Sequence, residues 1–125
     1  MATRRTFIAS VVLILGLLAV VQAADVTGKW TAKFMTQVGD QEYTYELVAK
    51  GTVLTGTATG SLTGKSPISD GKIDGDKISF IENATYMDMP LKFEYTGTVS
   101  SNDEIKLSRK LMDFPAEEFV AKRSK

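Results

Sequence analysis

Leu91-Lys92-Phe93-Glu94-Tyr95-Thr96-Gly97-Thr98-Val99 carries the deciding pattern: apolar residues or glycine at odd numbers, polar or charged ones at even numbers. Side chains that change face with a period of two mark a half-buried β-strand. A helix needs apolar positions every three or four residues, and no window of about eleven residues after Asp25 sustains that.

The same alternation recurs on both sides of this run. Upstream, Thr27–Thr36 turns Trp30, Ala32 and Phe34 one way; Glu42–Lys50 does so with Tyr43, Tyr45 and Leu47; Val53–Thr59 with Leu54, Gly56 and Ala58; Lys77–Glu82 with Ile78 and Phe80. Downstream, Glu104–Arg109 aligns Ile105 with Leu107, and Glu118–Arg123 aligns Phe119 with Ala121. Ser66–Ile73 is the weakest run: Ile68 and Ile73 differ in parity and Gly71 lies between them, which predicts a β-bulge. These eight runs imply an all-β fold, an eight-stranded antiparallel up-and-down meander barrel, since closure removes the exposed edges of an open sheet. A flattened sandwich is the alternative.

Connections at one end are tight: Lys50-Gly51-Thr52, Asp74-Gly75-Asp76 and Ser100–Asp103, with Gly, Asp and Asn suited to positive φ. The intervening segments Gln37–Gln41, Gly60–Lys65, Asn83–Pro90 and Lys110–Ala116 read as longer loops at the opposite end. Two of them hold related tetrapeptides, Met87-Asp88-Met89-Pro90 and Met112-Asp113-Phe114-Pro115. With Tyr86 they would put soft apolar groups around an open mouth.

Residues 1–24 stand apart. Arg4 and Arg5 precede a stretch without charge from Thr6 to Ala24, almost wholly apolar from Phe7 to Val21 and ending in Val21-Gln22-Ala23. This three-part pattern is that of a signal-peptide helix cleaved before Ala24 or Asp25; an uncleaved anchor is the alternative. The expectation is a signal peptide over 1–24, a single β-barrel domain over 25–125, and a secreted or periplasmic location without membrane attachment after cleavage. The mature part keeps 15 − 2 = 13 basic side chains against 15 acidic ones. That balance argues against nucleic acid and against a polybasic membrane surface. With no Cys and no His, lipidation at a cysteine, thiol chemistry, histidine bases and His/Cys metal sets are excluded.

Several motifs are better explained structurally. Asp70, Asp74 and Asp76 lack the spacing of a calcium loop and read as a hairpin, so no metal is expected. Gly60–Ser66 misses the P-loop spacing and precedes no helix. Glu117 and Glu118, like Asp103 and Glu104, are sequence neighbours on opposite strand faces, which fits solvated charges rather than a catalytic pair. Asn83-Ala84-Thr85 is read as a chance glycosylation sequon.

Gly28-Lys29-Trp30 at the head of the first strand resembles the Gly-x-Trp opening of the calycin barrels: lipocalins, fatty-acid-binding proteins and avidins. Thr27–Thr31 followed by Leu54-Thr55-Gly56-Thr57 looks most like an avidin. The Leu-Thr-Gly-Thr stretch, the Asp-Gly-Lys-Ile-Asp-Gly-Asp turn and the terminal Phe-Val-Ala-Lys-Arg also resemble small exported bacterial proteins of no settled function. The lipocalin likeness implies structural roles for Gly28, Trp30 and Arg123: the tryptophan plugs the shut end, and Arg123 (or Lys122) packs across it. Biotin binding is not implied, because avidins line their pocket with several tryptophans and this chain has one.

The expected function is non-enzymatic binding of a small, mostly apolar ligand at the long-loop end, with no cofactor. Tyr43, Tyr45, Glu82 and Arg109 share inward parity near strand ends, and Tyr86, Met87, Met89, Met112 and Phe114 would form the rim. The alternative is a protein-interaction module with a filled barrel, for which the partner is unknown.

Overall fold

The computed structural model describes residues 25–36 and 39–124, so the leader expected over 1–24 lies outside the described residues. Eight strands run in order: β1 (Gly28–Thr36), β2 (Gly39–Lys50), β3 (Val53–Gly60), β4 (Gly64–Asp74), β5 (Lys77–Tyr86), β6 (Met89–Ser101), β7 (Glu104–Leu111) and β8 (Glu117–Arg123). Each pairs antiparallel with the next and β8 returns to β1, giving a closed meander barrel rather than a sandwich. The alternating residues enter as the period requires: Trp30, Ala32 and Phe34 from β1, Tyr43, Tyr45 and Leu47 from β2, Phe93 and Tyr95 from β6 are all buried.

The expected bulge lies in β4. Its register with β5 shifts between Ser69 and Lys72, and Asp70 adopts a left-handed conformation with φ 53°. Gly71 follows because the Leu54 carbonyl oxygen occupies the space a Cβ would need. The extra residue restores parity, so both Ile68 and Ile73 pack on the core.

The connections differ from expectation. Asn83–Pro90 is not a loop: β5 continues to Tyr86, β6 starts at Met89, and Met87-Asp88 is a two-residue hairpin turn with φ 52° and 66°. Pro90 sits near the strand start, where a missing N–H is tolerated. β2 begins at Gly39, and the β3–β4 connection shrinks to residues 61–63. Only residues 112–116, between β7 and β8, form a longer connection at this end. Prolonged strands, not long loops, therefore build the mouth.

The opposite end is shut. Trp30 is fully buried; its indole N–H donates to the Val26 carbonyl (3.0 Å), and the Arg123 guanidinium lies 4.3 Å from its ring. Arg123 also donates to the carbonyls of Asn102 (2.7 Å), Thr27 (2.8 Å) and Asp25 (3.0 Å). At Gly28 (φ 143°) a Cβ would stand 2.6 Å from Arg123 Nη1, so the glycine admits the arginine. The β1–β8 seam pairs Trp30 with Arg123 through Ala32 with Ala121, and beyond it Phe34 stacks on Phe119 at 3.8 Å.

Candidate functional site

The inward rows of β1, β2 and β8 end at the mouth in the short or polar residues Thr36, Gln41 and Glu117, and a cavity of about 570 Å³ remains there. Gln41, Tyr43, Phe93 and Arg109 form its floor, and Tyr86, Leu91, Leu111, Leu62 and Phe114 supply apolar walls. Thr36, Thr63, Glu117 and the 112–116 connection, through Pro115 and Ala116, complete the rim. Ligand sites commonly span about 300–1,000 Å³, with apolar walls and a few polar groups.

Beneath the floor the barrel is filled. Phe80 stacks on Tyr95 with ring centroids 4.5 Å apart, and Tyr45 meets both edge-on. Glu82, with no solvent exposure, accepts hydrogen bonds from the hydroxyls of Tyr43 and Tyr95, each at 2.8 Å. The Tyr45 and Tyr95 hydroxyls lie 3.0 Å apart, and Tyr43 also reaches Thr63 at 3.1 Å. Among the described residues, no buried side-chain nitrogen or oxygen lacks a partner.

Arg109 joins this network to the cavity. Its Nε donates to Glu117 Oε1 (2.7 Å), while Nη1 lies 3.5 Å from the Tyr95 hydroxyl and 3.8 Å from Glu82 Oε1. The guanidinium carbon is 4.1 Å from the Phe93 ring centroid, 4.8 Å from Phe34 and 5.1 Å from Tyr43, so aromatic faces enclose the charge. Burial raises the Glu82 pKa above its ordinary value, only partly offset by Tyr95, Tyr43 and Arg109. Burial, then the Glu82 charge, pushes Tyr43 up to about 12. Tyr45 and Tyr95 are held well above the usual phenol range, chiefly by burial, and stay hydroxyl donors.

No protein-family model, curated protein or solved structure matches the chain. Its candidate chemistry rests on this geometry.

Of the residues singled out from sequence, Tyr43, Tyr86, Arg109 and Phe114 line the cavity. Tyr45 and Glu82 lie below the floor, and Met87, Met89 and Met112 project outward, exposed. The reading of Glu117 and Glu118 as solvated charges holds for Glu118 alone. Glu117 sits opposite Arg109 in the β7–β8 ladder, and its side chain is 28 % exposed. Its parity with Phe119 and Ala121 was the available signal. Thr36, with the parity of Phe34 on β1, and Gln41, with the parity of Tyr43 on β2, also line the cavity, and parity was again the available signal. Asp74 and Asp76 flank the hairpin glycine Gly75 (φ 61°), and no acidic cluster able to hold a metal occurs among the described residues.

The site thus offers a hydrophobic recess with the Gln41 amide, the hydroxyls of Thr36, Tyr43, Thr63 and Tyr86, and a paired charge. It can hold an apolar body and hydrogen-bond one polar end.

Proposed function

We propose that this chain is an exported, calycin-like binding protein that takes a small, mostly apolar ligand into the mouth of its barrel without transforming it. The observation that carries the reading is the recess of about 570 Å³ bounded by Leu91, Phe93, Leu111 and Phe114, with its polar groups gathered at floor and rim. Export rests on the leader pattern of residues 1–24, and the calycin likeness on Trp30 beneath Arg123. The test is titration with the neutral lipophilic dye N-phenylnaphthylamine, comparing the mature wild type with Leu111→Trp, which fills the recess. Saturable fluorescence enhancement, lost in the variant while circular dichroism stays unchanged, is expected. No saturable binding by the wild type overturns the reading, as does unchanged binding by a folded variant.

A second reading is favoured by one observation. Of nine exposed large hydrophobic residues among those described, Met35, Leu62, Met87, Met89, Met112 and Phe114 gather at the mouth. Concentrated apolar surface marks protein contacts. In this reading the rim binds a protein partner, and Met89→Ser with Phe114→Ser abolishes a specific complex or oligomer while the fold persists. An unchanged elution volume and unchanged partners reject it.

A further inference from the structure

The polar groups of the recess do more than mark one end of it; their charge balance selects the ligand's head group. Among the described residues, Arg109 and Glu117 are the only charged side chains lining the cavity. A lone buried arginine would invite a carboxylate. This one is already engaged: Glu117 takes its Nε at 2.7 Å, Glu82 lies 3.8 Å from Nη1, and rings of Phe34, Tyr43 and Phe93 cover it. Only 5 % of the side chain remains exposed, against 28 % of Glu117. Two acids therefore share one guanidinium. The cluster carries a net charge of −1 with Glu82 ionised and zero with it protonated, and in neither state is it positive. The more accessible member of the pair is the acid. An entering anion would meet the outer face of Glu117 with no spare cation behind it, whereas a donor group finds an acceptor there, in a cavity that Gln41 and Thr63 also line.

We infer that the ligand is an amphiphile whose polar end donates hydrogen bonds, an amine or a hydroxyl, and that the site discriminates against carboxylates. This rests on the mouth being a ligand site, as proposed above. Glu117 is the specificity-determining residue, and Arg109 holds it in place.

Displacement of N-phenylnaphthylamine by dodecylamine, dodecanol and dodecanoate, each below its critical micelle concentration at neutral pH, tests the assignment. The amine is expected to bind about tenfold more tightly than the carboxylate, a difference of ~1.4 kcal/mol, with the alcohol between them. In Glu117→Gln the order should flatten or invert, because Arg109 loses its nearest acid. If that variant does not fold, the wild type at rising ionic strength supplies the second reading: the gap between amine and carboxylate should narrow. Dodecanoate binding as tightly as dodecylamine overturns the inference and leaves the proposed binding site standing. A preference that survives in folded Glu117→Gln, or that salt does not alter, also overturns it. Failure of the dye itself to bind removes the ligand site and this inference together.

Discussion

Tyr95→Phe separates the scaffold beneath the cavity from the cavity itself. Tyr95 is 1 % exposed, and its hydroxyl donates to Glu82 Oε1 at 2.8 Å, lies 3.0 Å from the Tyr45 hydroxyl and 3.5 Å from Arg109 Nη1. Deleting that oxygen leaves one carboxylate oxygen of a fully buried glutamate without its donor, and Tyr45 without its partner. An orphaned buried polar group costs about 1–3 kcal/mol, so the pair amounts to roughly 2–4 kcal/mol after allowing for non-additivity. For a domain of this size that lowers Tm by roughly 10–25 °C. Tyr45→Phe removes a hydroxyl whose partner still has Glu82, and should cost about 1 kcal/mol or less. Urea unfolding followed by tryptophan fluorescence reports both, since Trp30 is the sole tryptophan. Tyr95 does not line the recess, so dye affinity of the folded variant should stay within about twofold of wild type, ~0.4 kcal/mol. A loss of stability below about 0.5 kcal/mol would refute the claimed network. So would weakened binding at unchanged stability, because the ligand would then reach below Tyr43.

Three further outcomes follow from the same geometry. Arg123→Ala should cost about 2–4 kcal/mol through its three carbonyl bonds and its stacking on Trp30, and Arg123→Lys should recover less than half, lacking the planar fork; equal urea midpoints for wild type and lysine variant would contradict this. Glu82 has a raised pKa in the folded chain, so the folded state holds that proton to higher pH than the unfolded chain does. Its favourable contribution is full below the unfolded carboxylate value and is lost as pH rises through the folded one. The stability of wild type relative to Glu82→Gln should therefore fall as pH rises above the ordinary glutamate range of about 4.3, and urea midpoints showing a flat or rising difference would refute it. Gly71→Ala forces a Cβ onto the Leu54 carbonyl oxygen at the bulge, and should cost about 2 kcal/mol or more; a melting temperature unchanged from wild type would deny that close approach.

Much of the barrel was legible because parity is a local property. Trp30, Tyr45, Phe93 and Phe119 point inward by counting from their neighbours, and the parity conflict between Ile68 and Ile73 located the bulge before any pairing was known. The strand ends were less legible. Ala84 is small and Pro90 cannot donate, so 83–90 looked like a loop. The ladder Asn83–Lys92, Ala84–Leu91 and Thr85–Pro90 shows the strands continuing instead. Pairing with a neighbour, which no window within one strand contains, overrode the local signal.

The cavity depends on that same non-local information. The inward rows fill the lower barrel because their aromatic rings meet at one level: Tyr45, Phe80 and Tyr95 interlock there, and Phe119 closes against Phe34. Nearer the mouth the inward positions carry Thr36, Gln41 and Glu117, which are shorter or polar, so the same rows stop filling the space. Parity identifies these residues as inward; only the register between strands sets which of them share a level. Arg109 illustrates the difference. Parity brought it inward beside Glu82, but its closest acid is Glu117, its direct partner across the β7–β8 ladder at 2.7 Å. That one pairing places a second acid on the guanidinium, beside Glu82 at 3.8 Å. It is therefore the register, and not the parity, that sets the charge balance at the floor of the recess.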